Sequence, residues 1–273
     1  MSQGLFSLQD RVAVVTGGSG VLGGAMAQGL LDAGGRVVIL GRDRAKAERA
    51  AQALSTDADR VLGLAGDVTE RESLEQAAQE VVDRWGRLDV LVNAAGGNRP
   101  DANATPTQSF FDLSAEALRG AVDLNLMGTV LPSQVFGRHM AEQKAGSIIN
   151  ISSMAASRPL TRVIAYAAAK AAVDNFTRWL ATYMAQECGP AIRVNAIAPG
   201  FFLGEQNRAM LVDAATGALT ARGSAIIGHT PMGRFGEPGD LVGTLVWLAS
   251  PASAFVTGIV VPVDGGFSAS SGI

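Results

Sequence analysis

The sequence predicts an α/β chain: a doubly wound, parallel, Rossmann-type sheet of seven strands in a single domain. Three observations carry that expectation. Short β-branched runs alternate with longer alanine-rich stretches along most of the chain. The runs are apolar throughout, as strands covered by helices on both faces are. The residues with chemical character follow the strands, where the ligands of such sheets bind.

The elements follow in order. Residues 11–16 (RVAVVT) read as a buried strand, and 22–33 as the helix after it, ended near Gly34-Gly35. Residues 36–40 (RVVIL) form the second strand and 44–54 an alanine-rich, polar-faced helix. A third strand over 61–65 leads to a helix over 70–85, and a fourth over 88–93 (LDVLVN) leads to a polar loop from 94 to about 112. Residues 114–143 are mostly helical, 147–152 (SIINIS) the fifth strand, and 164–187 a long helix. The sixth and seventh strands are 192–198 and 258–263. The glycine- and proline-rich stretch from 199 to about 237 breaks the alternation and reads as an inserted lid rather than a domain boundary. Its Phe201, Phe202 and Met210 either close over a ligand or pack as core.

Composition narrows the function. The chain has 273 residues, 48% hydrophobic and 17% charged, enough to bury a large core without staples. A net charge of −3 with no basic run argues against a nucleic-acid partner. The lone Cys188 allows no internal disulfide, and His139 and His229 are too far apart to suggest a metal site. The polar, charged N-terminal stretch is unlike a signal peptide, and no apolar run reaches the roughly 18 residues of a membrane span. A soluble, cytoplasmic protein is expected, with no membrane partner. Trp179, Trp247 and Cys188 are expected to serve packing.

The turn Thr16-Gly17-Gly18-Ser19-Gly20-Val21-Leu22-Gly23 joins the first strand to the first helix. Glycines there permit a tight turn and let backbone N–H groups reach a pyrophosphate at the helix N-terminus, although a glycine-rich turn can also be a mere connection. The second strand ends at Gly41-Arg42-Asp43. NAD sites usually carry a carboxylate at the strand end, whereas Arg42 suits the 2′-phosphate of NADP. NADP(H) is therefore the favoured cofactor, and Asp43 keeps NAD(H) open. The bland reading of Arg42 is a solvated arginine. Asp67 and Val68 after the third strand are candidates for the adenine edge; Asp67 also reads as an N-cap completed by Glu70. Asn93, Ala94, Ala95 and Gly96 after the fourth strand are small enough for a cofactor to lie against their backbone, or form a simple strand-ending turn.

Tyr166 and Lys170 stand at i and i+4 on the long helix, and Ser153 follows the fifth strand. A tyrosine, ordinarily near pKa 10, can exchange protons near neutrality when an adjacent ammonium lowers its pKa. With a serine hydroxyl to hold a carbonyl oxygen, this triple suits hydride transfer to a ketone or from an alcohol. Asn125 is a polar amide inside an apolar helix and needs a reason to be there. Each residue taken singly has an ordinary structural reading: a solvated helix face, a satisfied strand-end hydroxyl, a helix kink.

Together, these pieces resemble the short-chain dehydrogenases/reductases. The matching residues are Thr16–Gly23, Asp67, Asn93-Ala94-Ala95-Gly96, Asn125, Ser153, Tyr166 with Lys170, Pro199-Gly200 and Val263-Asp264-Gly265-Gly266-Phe267, in family order across almost the whole chain. One departure is Val21, where the family usually has glycine. The resemblance implies a catalytic tetrad of Asn125, Ser153, Tyr166 and Lys170, with Asn125 holding a water that relays protons to Lys170. It implies that Pro199 and Gly200 help bind the cofactor, and it implies a homotetramer built partly from two long helices. A narrower similarity, carried by GGSGVLG, the loop around Gly96-Gly97-Asn98 and the tail DGGFSASSG, points to the branch of D-mannonate oxidoreductases and gluconate 5-dehydrogenases.

A sugar-acid substrate needs a cation near the tetrad. Arg99, Arg158 and Arg162 are available, with Asn98 for hydroxyls and Phe201 from the lid. Each arginine can equally be solvated or at a subunit contact. The alternatives to a sugar-acid enzyme are a 3-oxoacyl-thioester reductase and a non-catalytic dinucleotide-sensing regulator.

Overall fold

Seven parallel strands, in the order β3-β2-β1-β4-β5-β6-β7, make one sheet. The computed structural model describes residues 4–204, 208, 210–214 and 216–271. The strands are β1 (Val12–Thr16), β2 (Arg36–Gly41), β3 (Val61–Ala65), β4 (Val90–Asn93), β5 (Ala145–Ile151), β6 (Ala191–Pro199) and β7 (Val260–Val263). The helices are α1 (Val21–Asp32), α2 (Arg44–Leu54), α3 (Arg71–Trp85), α4 (Ala115–Val122), α5 (Gly128–Gln143), α6 (Ile164–Tyr183), α7 (Ala221–His229) and α8 (Val242–Ala249).

The unbroken apolar strands have a direct cause. Successive side chains point to opposite faces, and both faces are covered. Ala13, Val15, Val37, Ile39, Val92 and Ile149 join one core with Met26 and Leu30 of α1 and Leu245 and Leu248 of α8. Val12, Val14, Val38, Leu40, Leu91 and Ile148 join the other with Leu74 and Val81 of α3, Phe136 and Met140 of α5 and Leu180 of α6. Helix α8 presses closely on α1: a Cβ on Gly29 would lie 2.4 Å from Val242.

The start of the sheet is tied by a buried charge. Asp89 accepts from the Val12 N–H at 2.9 Å, from Arg11 at 2.8 Å and from Arg87 at 2.7 Å. Burial alone would push its carboxyl up, but the bonds from Arg87, Val12 and Arg11 outweigh it and hold it below the usual range.

The chain leaves the sheet centre through β1 to β3, then crosses back to place β4 on the other side of β1. That reversal is the switch point where ligands bind. Register aligns the strand ends there: Thr16 pairs with Leu40 and Asn93, Asn93 with Asn150, and Pro199 with Val263.

Several local expectations are corrected. The helix expected over 114–143 is two helices joined by a π-turn at Asp123–Met127, and α6 likewise ends in a π-turn at Met184–Cys188. Asp67 does not cap α3, whose N-cap is Glu70; its carboxylate instead turns back on the Thr69 N–H at 2.9 Å and hydroxyl at 2.7 Å. Trp179 is 59% exposed, stacked between Phe176 and Tyr183 on the outside of α6 rather than packed in the core. Helix α8 was not anticipated, because an eight-residue apolar run has no distinguishing periodicity. In the 199–237 stretch, residues 205–207, 209 and 215 lie outside the described residues, and α7 occupies its second half.

Candidate active site

The glycine-rich turn is shaped by contacts that forbid side chains. Gly17 has φ +66°, and a Cβ on it would lie 2.9 Å from the Ala95 Cα. A Cβ on Gly23 would lie 2.4 Å from the Gly17 carbonyl oxygen. Helix α1 has Gly20 as its N-cap, with no side-chain cap and no acidic residue in its first turn. Unpaired N–H groups and the helix dipole therefore face the end of the sheet, a setting for a diphosphate. Val21, the departure from the glycine pattern, is half exposed, so its side chain crowds nothing. Leu22 follows inside the first turn and packs on the core.

At the end of β2, the Ser19 hydroxyl is 3.7 Å from where a Cβ on Gly41 would lie. Asp43 caps α2, accepting from the Lys46 N–H at 3.0 Å. Arg42 is exposed and carries no ion pair among the described residues. Val68 is buried against Gly128 at the head of α5.

Thr16 stitches β1 to β4: its hydroxyl oxygen accepts from the Ala94 and Ala95 N–H groups at 3.0 Å each. Asn93 is fully engaged as a donor, giving to Ser133 and to Asn150 at 2.9 Å each. The strand end that would flank a cofactor is thus held from within the core.

The four residues of the expected tetrad converge. Asn125, in the π-turn, donates to the carbonyls of Ala121 at 2.8 Å and Gly97 at 2.9 Å and accepts from the Gly97 N–H at 3.0 Å. A Cβ on Gly96 would lie 2.8 Å from the Asn125 oxygen and 3.4 Å from the Lys170 Nζ. Lys170 is buried and donates to the Ile151 carbonyl at 2.7 Å. Its Nζ lies 5.7 Å from the centre of the Tyr166 ring. The Ser153 hydroxyl bonds the Tyr166 phenol and accepts from the Ala155 N–H at 3.1 Å.

Burial pushes Lys170 down to about 8, against the pull of Asp174. Burial likewise pushes Tyr166 up, with the Ser153 bond opposing it. Desolvation is the largest influence on both groups, because they sit in a low-dielectric pocket.

The substrate candidates divide. Arg99 is paired with Asp101 at 2.6 Å and lies against Gly120 of α4. Arg158 donates to the Ser268 carbonyl at 2.6 Å and so anchors the C-terminal tail. Asn98 is exposed on its loop. The Arg162 carbonyl accepts from the Ala104 N–H at 3.0 Å, joining the loop after β4 to the start of α6. Its charge acts on a residue that sequence reasoning missed, Arg222 of α7. Burial and then the charge of Arg162 push Arg222 down, and Arg222 has no anionic partner among the described residues. Nothing local marks Arg222, since only the path of the 199–237 stretch brings it there.

Pro199 and Gly200 are held against the tail: the Gly200 N–H donates to the Val263 carbonyl at 2.9 Å, and a Cβ on Gly200 would lie 2.6 Å from the Asp264 Cα. Phe201 meets Phe267 edge-to-face at 5.2 Å. A cavity of about 410 Å³ opens beside Phe201, Thr230, Met232 and Gly265. Phe202 is buried, its ring against Gly236, whereas Met210 is exposed.

Comparison with known proteins is consistent with this geometry. The family model described as enoyl-(acyl carrier protein) reductase matches residues 19–268. An uncharacterized oxidoreductase of Bacillus subtilis is 45% identical, over 98% of each chain. A solved Haemophilus influenzae structure with bound NAD, provisionally assigned as a D-mannonate oxidoreductase, superposes with a TM-score of 0.89 at 39% identity, covering 98% of each chain. A gluconate 5-dehydrogenase from Burkholderia cenocepacia, in complex with NADP and tartrate, gives a TM-score of 0.88 at 32% identity, covering 99% of this chain and 100% of that one.

Proposed function

The chain belongs to the short-chain dehydrogenase/reductase family and is an oxidoreductase, and on that premise we propose that it interconverts the carbonyl and alcohol of a small sugar acid resembling D-fructuronate and D-mannonate. The observation that carries this reading is the meeting of Ser153, Tyr166, Lys170 and Asn125 beside a glycine cradle at the strand ends.

The cradle fits a nicotinamide dinucleotide. Gly17, Ser19, Gly20, Val21, Leu22 and Gly23 would hold the diphosphate on the α1 N-terminus, and Arg42 a 2′-phosphate, so that NADP(H) is favoured over NAD(H). Asp67 and Val68 would meet the adenine; Asn93, Ala94, Ala95 and Gly96 would offer backbone contact; Tyr166 and Lys170 would take the ribose; Pro199 and Gly200 would border the nicotinamide. When bound, the dinucleotide supplies or accepts the hydride.

The chain's own groups handle the substrate oxygen. In reduction Tyr166 donates its proton to that oxygen while Ser153 hydrogen-bonds it. Burial keeps the phenol protonated, which suits a donor. Lys170, at about 8, is mostly charged at neutral pH and favours the phenolate that donation leaves behind. Asn125 secures the Gly96-Gly97 backbone beside Lys170.

Arg162 and Arg222 are the proposed carboxylate site. Two guanidinium groups that repel one another, one of them partly desolvated, are stabilised by an anion placed between them. Arg99 and Arg158 already have partners and are assigned to shaping the loop and the tail; Asn98 and Phe201 border the substrate. The sugar-acid activities named for the Burkholderia and Haemophilus relatives support this class. The second reading is a 3-oxoacyl-thioester reductase; the family model's description shares with it the acyl-thioester substrate but names reduction of a carbon-carbon double bond rather than of a ketone.

The proposal extends to a single cytoplasmic domain assembled as a homotetramer. The exposed aromatic stack on α6 supports the assembly, and no described helix is long and apolar enough to cross a membrane. The test of the activity is a panel of keto-acids, aldonates and acyl thioesters followed by absorbance of the reduced nicotinamide, with Tyr166→Phe as control. Turnover of a sugar acid, reduced about 10²–10⁴-fold in the variant with dinucleotide binding intact, is the expected result. Turnover of acyl thioesters alone, or full activity in the variant, overturns it.

A further inference from the structure

Three consecutive residues at the end of β5 each bond a different turn of α6. The Ile151 carbonyl accepts from Lys170 Nζ at 2.7 Å. The Ser152 hydroxyl donates to the Asp174 carboxylate and reaches the Lys170 carbonyl at 3.5 Å. The Ser153 hydroxyl bonds Tyr166. Tyr166, Lys170 and Asp174 stand at i, i+4 and i+8, one above the other on a single face of the helix. The Ser152 N–H is tied to the Ile197 carbonyl of β6 at 2.8 Å, so this strand end is also fixed to the sheet.

Two members of this row belong to the proposed tetrad. Asp174 does not, yet it is half-buried, and a carboxylate in such a place calls for a reason. We infer that Asp174 is a positioning residue: through Ser152 it locks the strand end that carries both the Lys170 acceptor and Ser153, and it supplies the counter-charge to the Lys170 ammonium. This rests on the reading of Tyr166 and Lys170 as the proton-handling pair.

The electrostatic surroundings agree. Asp174 is the charge that raises Lys170 against its burial. Burial pushes Asp174 itself up, while the Ser152 bond, Arg178 and Lys170 oppose that. No other charged side chain acts appreciably on either group among the described residues. The elements packed against Lys170 and Asp174 present the Ile151 carbonyl, the Ser152 hydroxyl, Gly96 and the Asn125 amide, none of which titrates near neutrality.

Two variants separate the two effects. Asp174→Asn keeps an acceptor for the Ser152 hydroxyl and removes only the charge. Ser152→Ala keeps the charge and removes the lock. The first readout is the apoprotein thermal midpoint as a function of pH. A lysine depressed by burial gives up its proton in the folded state first, so stability rises as pH passes the folded pKa of about 8. In Asp174→Asn that rise should begin about one pH unit lower, the size expected for losing one nearby opposite charge. In Ser152→Ala its onset should stay, while kcat for D-fructuronate reduction falls about fivefold, the worth of one lost hydrogen bond. Ser152→Thr should restore turnover.

An unmoved onset in Asp174→Asn, or unchanged turnover in Ser152→Ala, overturns the inference. Should Ser152→Ala fail to fold, the Asp174→Asn onset decides alone. Tyr166→Phe is measured beside them. If that variant retains turnover, the reading of the site has failed; if it is inactive while Asp174→Asn keeps the wild-type onset, only the role of Asp174 has failed.

Discussion

Replacing Lys170 with methionine should make the empty protein more stable while removing its activity. The side chain is buried and held at about 8 rather than 10.5. At neutral pH the ammonium is charged in both the folded and unfolded chain, so this depression measures what burying the charge costs, about 3 kcal/mol. Methionine fills a similar volume without the charge. It also leaves the Ile151 carbonyl without its donor, which costs about 1 kcal/mol. The net gain is about 2 kcal/mol, or a rise of roughly 4–8 °C in Tm for a chain of this size. The pH dependence supplies an internal control. The folded pKa is the lower one, so the cost is complete below about 8 and is relieved as pH rises toward 10.5. The advantage of the variant should therefore shrink across that window. Calorimetry of both apoproteins at pH 7 and pH 10 reads it directly. A variant less stable than the wild type at pH 7, or an advantage that does not shrink by pH 10, would refute the reasoning.

Other consequences concern the cofactor, the substrate and the base of the sheet. Arg42→Ala should lower kcat/KM with NADPH by about tenfold or more, the loss of a charge-assisted phosphate contact, and leave NADH nearly unchanged; an unaltered NADPH-to-NADH ratio counts against the assignment. Arg162→Ala with Arg222→Ala should raise KM for an acidic substrate by about tenfold or more with little effect on dinucleotide affinity; constant KM removes the carboxylate from that place. Asp89→Asn should cost about 2 kcal/mol at pH 7 through its charged hydrogen bonds. The Asp89 carboxyl is held low in the fold, so its stabilisation is present above its unfolded pKa of 3.8 and is lost as pH falls through the lower folded value. The difference between wild type and Asp89→Asn should accordingly narrow under acid unfolding.

Much of the site was legible because its parts are local. The glycine turn reads from spacing, since only residues without Cβ fit where Gly17 meets Ala95 and Gly23 meets the Gly17 carbonyl. Tyr166 and Lys170 read from one helical turn. Arg222 and Asp174 were not legible. The first is brought to Arg162 by the fold of a glycine-rich stretch, and the second matters only because Ser152 lies across from it on another element. The π-turn at Asn125 escaped too: a polar residue in an apolar helix signals a purpose, but not that the backbone widens there to aim the amide at Gly97.

The sequence by itself determined the parallel sheet, the order of its elements and which residues stand at the strand ends, because continuous apolar runs have to be covered on both faces and glycines have to sit where backbones touch. Tertiary structure alone decided which cations are already paired, as Arg99 is by Asp101 and Arg158 by the tail, and which feel one another's charge with no ion pair among the described residues, as Arg162 and Arg222 do. It also decided that the phenol and the ammonium titrate under the control of burial. Proton affinity depends on the dielectric and charges within a few ångströms in space, and residues distant along the chain supply those.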